Sequence, residues 1–407
     1  MLVLLNGLRL GWKNKSYKRR KRKVKFKYED YASTNGMATA REILQQPKMW
    51  EQTVEILEER LGEISAFMKG ALAHKDLQIL FLGAGSSAFC AEMVSPGVNQ
   101  YLGYNTSAPH TTDIVSSPDS VLKAELPTML ISFARSGNSP ESIAAVEYAR
   151  NRVKNLYEIA VTCAEDGKLA QFTGNSEKRL TVLLPPETND EGFAMTSSLT
   201  AMALAAYGIL AYEKFDAFKR DVSALSKLIE RKMEELAFTA KMVAESFDFD
   251  RVAFLGCGAL KGAAHESTVK MCELTHGNVN VVYDTSLGFR HGPKFMIKDT
   301  AITVHMVSGE MLTAKYDVDF LKEVLSQKKK NKVVLVSDGA LDLEGIDFAV
   351  DFGAELANDF YLSIAAVVFS QLFAFFTSQK MGVNTDSPSA DGAVNRVVQG
   401  VIIYPID

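Results

Sequence analysis

Short apolar runs alternate with helical stretches along most of this 407-residue chain. In the first half, largely apolar strand-like runs begin at Gln78 and recur at 128–133, 157–163 and 180–184. Around them, apolar residues recur at the three- and four-residue spacing of a helix, as at 39–72. Such alternation is typical of a parallel sheet covered by helices on both faces. The first half is therefore predicted to be a doubly wound α/β domain.

The second half repeats the first at a constant offset along the chain. The sequence Phe81-Leu-Gly-Ala-Gly85 recurs as Phe254-Leu-Gly-Cys-Gly258. At the same offset two further matches pair strand-like runs, 129–132 with 302–305 and 160–163 with 333–336. Three matches at one offset indicate duplication of a single domain. The predicted fold class is therefore α/β, with two tandem domains that each contain a doubly wound parallel sheet flanked by helices.

Composition and pattern together divide the chain into six predicted segments. They are a basic extension (1–36), a helical lead-in (37–75), the first α/β domain (76–215), a helical linker (216–250), the second α/β domain (251–380) and a C-terminal tail (381–407). In the extension an apolar start precedes the basic run 18–23, which is the reverse of the order in a signal peptide. We expect the extension to be disordered and without catalytic role; nucleic-acid or anionic-surface binding is the alternative.

The charge of the chain is unevenly distributed. The segment 1–30 contains eleven Lys or Arg side chains and two acidic ones, so the remainder carries a formal charge of −13 against −4 for the whole chain. An acidic body does not suit nucleic acid. No apolar run reaches the roughly 18 residues that span a bilayer, and 361–376 is interrupted by polar residues and is predicted to be a buried helix. These features predict neither a nucleic-acid nor a membrane partner.

The four cysteines predict a reducing compartment. Cys90, Cys163, Cys257 and Cys272 show no C-x-x-C spacing and lie within segments predicted to be buried. Reduced thiols of a cytoplasmic protein fit this pattern better than a disulfide framework or a zinc site.

Two turns of the first half have the composition of an anion site. One follows the strand-like run at 78 and contains Ser86 and Ser87; the other is 135–139, before Pro140 at a predicted helix start. Free N–H groups and the helix dipole attract anions at such a turn, and serine hydroxyls add donors. An ordinary serine cap is the alternative. In the second half, Ala259 and Leu260 replace the first serine pair, so only the first copy keeps hydroxyls suited to a phosphate.

The first turn also fits the dinucleotide pattern G-x-G-x-x-A. That interpretation requires an acidic residue about 20 positions further on, to bind the ribose. The corresponding region, 101–110, contains none, and the first candidate is Asp113. One small phosphate, held by both serine turns, fits the sequence better.

The second half carries the candidate acid–base residues. Glu266, Lys270 and Glu273 share one face of a helix predicted over 259–276. A solvated face with an exposed ion pair is the alternative. A loop then carries His291 between arginine and a Gly-Pro pair, a position unsuited to a core and typical of functional loops. The other five histidines show no partner pattern and are expected to be structural or exposed. They are His74, His110, His265, His276 and His305.

The combination of these motifs resembles the sugar isomerase (SIS) domain family. The motifs are F-L-G-x-G-S-S, S-x-x-R-S-G-x-S, a K-x-x-E helix and R-H-G-P, with longer matches at 192–198, 287–293 and 395–400. The chain resembles most the tagatose-6-phosphate ketose/aldose isomerase (AgaS) family, which is associated with galactosamine-6-phosphate deamination. The resemblance covers about 38–407 and leaves the basic extension outside. It implies two SIS domains.

The resemblance also implies roles for individual residues. Ser86, Ser87, Ser136 and Ser139 would bind the substrate phosphate, and Thr196 and Ser197 would lie near the substrate. Glu273 would be the general base, Lys270 would stabilise the enolate oxygen and His291 would open the sugar ring. Arg135 stands where the related glucosamine-6-phosphate synthase has glutamine, so it would either add a phosphate contact or change which sugars fit. The catalytic lysine of that synthase has no counterpart at 395–399, and that role is not assigned.

The function implied is that of a cytoplasmic isomerase and hydrolase of amino-sugar metabolism. It would convert galactosamine 6-phosphate to tagatose 6-phosphate and ammonia without a metal or organic cofactor. Isomerisation of a non-amino hexose 6-phosphate and non-catalytic sugar-phosphate sensing are the alternatives; Lys270, Glu273 and His291 argue against the sensor. The resemblance further implies a homodimer in which the neighbouring subunit supplies the loop histidine; a loop of the same chain that folds across the domain interface is the alternative.

Overall fold

Two five-stranded parallel sheets of the same topology form the framework of the protein. The computed structural model describes residues 25–389, 392, 394–398 and 400–405. The strands of the first sheet are β1 (Gln78–Leu82), β2 (Thr106–Ser107), β3 (Thr128–Ala134), β4 (Leu156–Thr162) and β5 (Arg179–Leu183). Those of the second are β6 (Arg251–Leu255), β7 (Asn280–Asp284), β8 (Ala301–Val307), β9 (Lys332–Ser337) and β10 (Phe348–Asp351). The strand orders are β2-β1-β3-β4-β5 and β7-β6-β8-β9-β10.

Helices cover the sheets and link them. The α-helices of the described residues are α1 (Met37–Glu59), α2 (Leu61–Leu72), α3 (Ser86–Leu102), α4 (Thr111–Ser116), α5 (Pro118–Val121), α6 (Pro140–Arg152), α7 (Lys168–Thr173), α8 (Ser197–Leu210), α9 (Phe215–Glu245), α10 (Ala259–Leu274), α11 (Met311–Ser326) and α12 (Asp359–Met381). Short 3-10 helices lie at Tyr28–Thr34, Pro186–Thr188, Tyr212–Lys214, Gly288–Arg290 and Pro293–Met296. Parallel sheets alternating with helices confirm the predicted fold class, and α9 occupies most of the predicted linker.

The internal repeat predicted from sequence is present in the backbone. Strands β6 and β8 begin and end at the offset of the sequence repeat from β1 and β3, and α10 begins at the same offset from α3. The residue before each of these helices has the same conformation: φ is 57° and ψ −133° at Gly85, and φ is 58° and ψ −128° at Gly258. Glycine adopts this positive φ without strain. Both copies therefore keep the same turn after their first strand.

The core between the sheets is built around α12. Its side chains are buried from Asp359 to Ser378, and it packs against α9 and α10. By length and composition α12 could cross a membrane, but its most apolar 18-residue window is entirely buried in the fold. Apolar residues on all sides of a helix are what a central core position requires. The buried helix predicted at 361–376 is therefore confirmed.

The two domains meet where α10 crosses α3. At Gly262 a Cβ atom would lie 2.5 Å from the backbone carbon of Glu92 and 2.5 Å from the nitrogen of Met93. Only a residue without a side chain permits this approach, because real Cβ atoms do not come so close to backbone. The crossing fixes the second domain onto the first helix of the first domain.

Residues 25–36 correct the prediction of a disordered extension over 1–36. Phe26 and Tyr31 pack on Phe375 of α12, with ring centroids 5.9 and 4.8 Å apart. These aromatic side chains cover core surface, which favours an ordered segment. The disorder predicted for the basic run 18–23 falls outside the described residues.

Two smaller expectations also change. The helical pattern at 39–72 forms two helices, α1 and α2, separated at Arg60. Cys90 and Cys163 are buried, as expected, and Cys257 is partly buried. The expectation is wrong for Cys272 of α10, which is exposed.

Replacing Gly262 with alanine tests the crossing. Gly→Ala within a helix ordinarily stabilises by about 0.5–1 kcal/mol. Here the new methyl group meets backbone, so we expect destabilisation of about 1–3 kcal/mol, measured by urea unfolding. Gly70→Ala in α2 is the matched control, because a Cβ atom there would lie 4.0 Å from its nearest neighbour, Tyr157. This substitution should stabilise the protein. Equal stabilisation by both substitutions would contradict the close crossing.

Candidate active site

Both predicted serine turns lie at one point of the first sheet. Strands β1 and β3 are neighbours, and the chain leaves them toward opposite edges, since β2 lies beyond β1 and β4 beyond β3. In doubly wound sheets ligands bind outside the carboxyl ends of the strands at this switch point. Ser86 and Ser87 begin α3 after β1, and Ser139 directly precedes α6 after β3. The four predicted phosphate-binding serines therefore come from two adjacent turns.

These turns retain donors for an anion. Within the part of the chain that the structure describes, no acceptor is bonded to the N–H groups of Ser136 and Gly137. The hydroxyl of Ser136 accepts a bond from the N–H of Asn138 at 3.3 Å, and that of Ser139 donates to Glu141 at 2.8 Å. Backbone N–H groups at a helix N-terminus, with hydroxyls beside them, are the usual donors to phosphate. We name residues 85–87 and 135–139 the phosphate cradle.

In the second copy the corresponding N–H groups, those of Gly309 and Glu310, are bonded within the protein, that of Glu310 to the Ser308 hydroxyl at 3.0 Å. By the offset of the repeat, Ser308 and Gly309 correspond to Arg135 and Ser136. The N–H of Gly309 donates to Asp359 at 2.7 Å, and the N–H of Ser308 donates to Asp317 at 3.1 Å. Both carboxylates are buried. The second turn is therefore closed by internal anions, and only the first is open to a ligand.

The helix α10 brings the predicted acid–base residues to the cradle. The Lys270 ammonium donates to the hydroxyl of Ser86 at 3.0 Å, and it also bonds the carboxylate of Glu273. On its other side Glu266 lies 3.3 Å away. Lys270 and Glu266 are fully buried, whereas the Glu273 side chain is 28% exposed. The alternative of a solvated helix face is therefore wrong, since this face lies in the domain contact.

Burial and charge set the protonation states of this group. Burial raises the pKa of Glu266 to about 7, although Lys270 opposes the shift. Burial acts to lower the pKa of Lys270, but Glu266 and Glu273 outweigh it and raise the pKa above its ordinary value. An ammonium is retained in the protein interior only with such partners. The site thus holds a protonated Lys270 beside the partly exposed side chain of Glu273.

Arg135 is buried, and its guanidinium bonds three carbonyls of the protein. Its guanidinium donates to the carbonyls of Gly192 at 3.3 Å, Phe193 at 3.1 Å and Arg396 at 3.0 Å. Burial lowers its pKa. These bonds use three of the five guanidinium N–H groups, so a phosphate contact and an effect on which sugars fit both remain predictions for Arg135. It fixes both the 192–193 loop and the C-terminal segment.

Thr196 and Ser197 lie beside the site, but their hydroxyls are bonded to one carboxylate. Asp190 accepts from the N–H and hydroxyl groups of Thr196, Ser197 and Ser198, at 2.5 to 3.1 Å. All three donors are fully buried. Asp190 therefore caps α8 and holds the loop before it, and the predicted substrate contacts of Thr196 and Ser197 remain predictions.

His291 is separate from the other predicted residues. It follows the 3-10 helix Gly288–Arg290, and its side chain is exposed. Among the described residues, its ring makes no hydrogen bond or ion pair, to Lys270 and Glu273 or to any other group. The neighbouring Arg290 is instead held by Glu323 at 2.8 Å. The chain thus brings together the serines, Lys270 and Glu273, but not His291.

Three residues of this region were not singled out from the sequence. Glu266 was recognised only as sharing a face with Lys270, and spacing alone does not reveal burial. Asp190 lies six residues before Thr196, the N-cap position of α8, so no local cap signal in the sequence points to it. Arg396 lies in the matched segment 395–400, and it bonds the carbonyl of Asp190 and the Asn189 side chain at 3.2 Å.

Comparison with known proteins places this geometry in a family. The D-galactosamine-6-phosphate deaminase AgaS of Escherichia coli is 37% identical over 380 residues, which are 93% of this chain and 98% of the relative. The corresponding protein of Shewanella sp. (strain ANA-3) is 36% identical over 370 residues, 90% of this chain and 92% of the relative. The chain belongs to the AgaS family. The described site is therefore a site of an AgaS family member, and the family resemblance of the motifs is confirmed.

A domain model and a solved structure agree with this membership. The SIS domain model matches residues 71–211, which contain the whole phosphate cradle. The crystal structure of tagatose-6-phosphate ketose/aldose isomerase from Escherichia coli superimposes with a TM-score of 0.84 at 33% identity, covering 92% of this chain and 98% of that one. The AgaS fold therefore extends over both sheets and not only the matched domain.

Removing both cradle hydroxyls tests the anion site. The double substitution Ser136→Ala and Ser139→Ala leaves the backbone N–H groups in place but removes two donors to a charged ligand. We expect affinity for inorganic phosphate to fall by about 2 kcal/mol, roughly thirtyfold, in calorimetric titration. Ser120→Ala, which removes an exposed hydroxyl on α5, is the control. Unchanged affinity in the double variant would place the phosphate elsewhere.

Proposed function

We propose that this AgaS protein releases ammonia from galactosamine 6-phosphate and forms tagatose 6-phosphate. The observation that carries the proposal is the contact of the Lys270–Glu273 pair with Ser86 of the phosphate cradle, at 3.0 Å from the ammonium. This contact supports the proposal, because proton transfer in a sugar phosphate requires an acid–base pair beside an anion site. The names of the relatives support the amino sugar as substrate.

The cradle positions the substrate by its phosphate. N–H groups at 136–137 and the hydroxyls of Ser86, Ser87, Ser136 and Ser139 bind the phosphate oxygens. The sugar then extends toward the partly exposed Glu273. Binding energy from the phosphate, which does not react, orients the carbons that do. Proton transfer between Glu273 and a substrate held in this way is effectively a unimolecular step.

Glu273 and Lys270 carry the proton transfer. After the ring has opened, Glu273 takes the proton from C2 of the aldehyde form, and the electrons move toward O1. The Lys270 ammonium stabilises the developing oxyanion. Such an interaction is strongest where water is excluded, and Lys270 is fully buried. Glu273 then returns a proton to C1. As C1 is protonated, the electron pair of the amino nitrogen forms the C2=N bond, and a proton moves from that nitrogen to O1, which leaves a neutral C2 ketimine.

Hydrolysis of the ketimine completes the reaction. Water adds to C2, the nitrogen accepts a proton and the C–N bond breaks, so ammonia leaves and the ketose phosphate remains. A substrate with a hydroxyl in place of the amine would stop at the ketose. Isomerisation of such a sugar is the second candidate function, favoured by the 33% identical structure named as a ketose/aldose isomerase.

We further propose that the protein acts in the cytoplasm as a homodimer whose two sites are shared between subunits. His291 opens the sugar ring, and it lies on an exposed loop without partners in the described part of its own chain. Large apolar side chains flank it: Leu287 is 43% and Phe295 81% exposed. Exposed apolar groups of this size mark contact surfaces. Docking this loop onto another subunit would bring His291 to that subunit's cradle.

Product analysis tests the substrate. Purified protein incubated with galactosamine 6-phosphate should release ammonia and a ketose phosphate in equal amounts, measured by coupled enzymatic assay and NMR. Galactose 6-phosphate and glucosamine 6-phosphate are the comparison substrates. Ketose formation from galactose 6-phosphate, without ammonia release from either amino sugar, would overturn the deaminase in favour of the isomerase.

Glu273→Gln tests the base. The amide keeps the size of the carboxylate but accepts no proton, so we expect kcat to fall by at least 10³-fold while the substrate still binds. Isotope exchange at C2 measures the proton transfer directly. Glu234→Gln, on the exposed side of α9, should behave as the wild type. Exchange at the wild-type rate in Glu273→Gln would exclude Glu273 as the base.

Mixing two inactive variants tests the shared site. Glu273→Gln and His291→Ala chains, combined under subunit exchange, form mixed dimers with one doubly altered site and one intact site. Activity should return to about a quarter of the wild-type value by random association. If both residues of a site come from one chain, every site contains one of the two substitutions and no activity returns. Absence of recovery, with exchange verified by mass-labelled subunits, would contradict the shared site.

A further inference from the structure

A carboxylate lies between two histidines where the two domains meet. Glu92 of α3 is 2.9 Å from Nε2 of His110 and 2.8 Å from Nδ1 of His265, one carboxylate oxygen facing each ring. His110 belongs to the first domain and His265 to α10. The three side chains are partly buried, with exposed fractions of 26, 28 and 17%. His110 and His265, expected to be structural or exposed without a partner pattern, thus have a common partner.

Aromatic rings fix the orientation of His265. Its ring stacks on Tyr283 of β7, with centroids 3.8 Å apart and planes inclined by 13°, and it lies 3.8 Å from Phe89 of α3 on the other side. A ring held between two aromatic faces keeps its Nδ1 directed at Glu92. We name Phe89, Glu92, His110, His265 and Tyr283 the Glu92 cluster.

The cluster joins the two helices that also form the site. Near the start of α3, Ser86 accepts a bond from Lys270 near the end of α10. Six residues further along α3, Glu92 bonds His265, which is five residues earlier on α10. The helices therefore run antiparallel and carry two polar links, with the backbone contact at Gly262 beside the second. One link alone would allow α10 to pivot; two links define its register on α3.

We propose that Glu92 is a positioning residue for the reaction, which holds α10 in register through His265 so that Lys270 and Glu273 face the phosphate cradle. The proposal rests on the proposed function of those two residues. Glu92 itself touches no reacting atom. Misplacement of an acid–base pair by about 1 Å costs up to a hundredfold in rate, so a link of this kind matters more to turnover than to substrate affinity.

The pKa shifts of the cluster support an ionised Glu92 paired with His110. Burial acts to raise the pKa of Glu92, but bonds from both histidines outweigh it and lower the pKa to about 2. The bond to Glu92 raises the pKa of His110 above 6.5, helped by Asp113. Tyr283, with its pKa raised by burial and by Glu92, stays neutral. Charge-assisted bonds of this kind are stronger than neutral ones.

These shifts define a pH window. The lowered pKa of Glu92 contributes stability that is complete above its ordinary value of 4.5 and is lost as the pH falls toward 2. The raised pKa of His110 contributes stability that is complete below 6.5 and is lost as the pH rises through the value in the folded protein. The destabilisation caused by Glu92→Gln should therefore be largest between about pH 4.5 and 6.5.

Two substitutions of His265 separate the hydrogen bond from packing. In His265→Asn the amide nitrogen takes the approximate place of Nδ1 and can still donate to Glu92, whereas His265→Leu fills space without a donor. We expect kcat to fall about ten- to a hundredfold in His265→Leu, with KM within threefold, and to stay within about threefold of wild type in His265→Asn. Equal losses in both variants, or no loss in either, would overturn the proposal.

Hydrogen exchange measures the link without any substrate. Amides of α10 (Ala259–Leu274) should exchange faster in His265→Leu than in His265→Asn or in the control His74→Leu, whose ring contacts Tyr157 instead. Unchanged exchange in His265→Leu would overturn the link. If the wild-type protein neither deaminates nor isomerises sugar phosphates, the proposed function is refuted. Hydrogen exchange in α10 would then still test the link between Glu92 and His265. Should His265→Leu not fold, Glu92→Leu, which removes the acceptor in place of the donor, is read in the same two ways.

Discussion

The arrangement of this protein depends on one buried cation. Lys270 is fully enclosed, and an ammonium in such a place is retained only if several groups bond it. Two of its partners, Glu266 and Glu273, are on its own helix, and the third, Ser86, is on the first helix of the other domain. The domains must therefore stay in contact for the charge to be satisfied. The same contact places the acid–base pair beside the phosphate cradle, so stability and chemistry depend on one interaction.

Much of the fold and part of the site followed from local sequence pattern. The strand-like runs, the repeat and the two serine turns are each set by residues adjacent along the chain, and β1, β3, β6 and β8 lie where the apolar runs predict them. The spacing of Lys270 and Glu273 also placed them correctly on one face. Spacing could not distinguish a buried face from a solvated one, because the residues that cover α10 come from α3 and α12. The burial of Glu266 is accordingly a product of the fold.

Contacts between distant residues account for the rest. The two histidines that bond Glu92 lie 18 and 173 positions from it, and no local signal relates them. Arg135 similarly looked like a free cation at a phosphate turn, but the carbonyls that occupy it come from 192–193 and 396. Cationic and titratable side chains are the groups whose role is decided by such partners. The strands and helices, by contrast, follow from the pattern of apolar residues adjacent along the chain.

The closed turn of the second domain has a consequence for how the protein responds to metabolite supply. A ligand stabilises only the structure to which it binds, in proportion to the logarithm of its concentration over its dissociation constant. In the second domain the turn bonds the side chains of Asp317 and Asp359, which belong to the protein and are always present. The turn in the second domain therefore keeps its bonds whether or not a ligand is present, whereas the open cradle gains bonds only from a ligand. Because the two domains share one core and the contact of Lys270 with Ser86, a ligand in the cradle would stabilise both domains together.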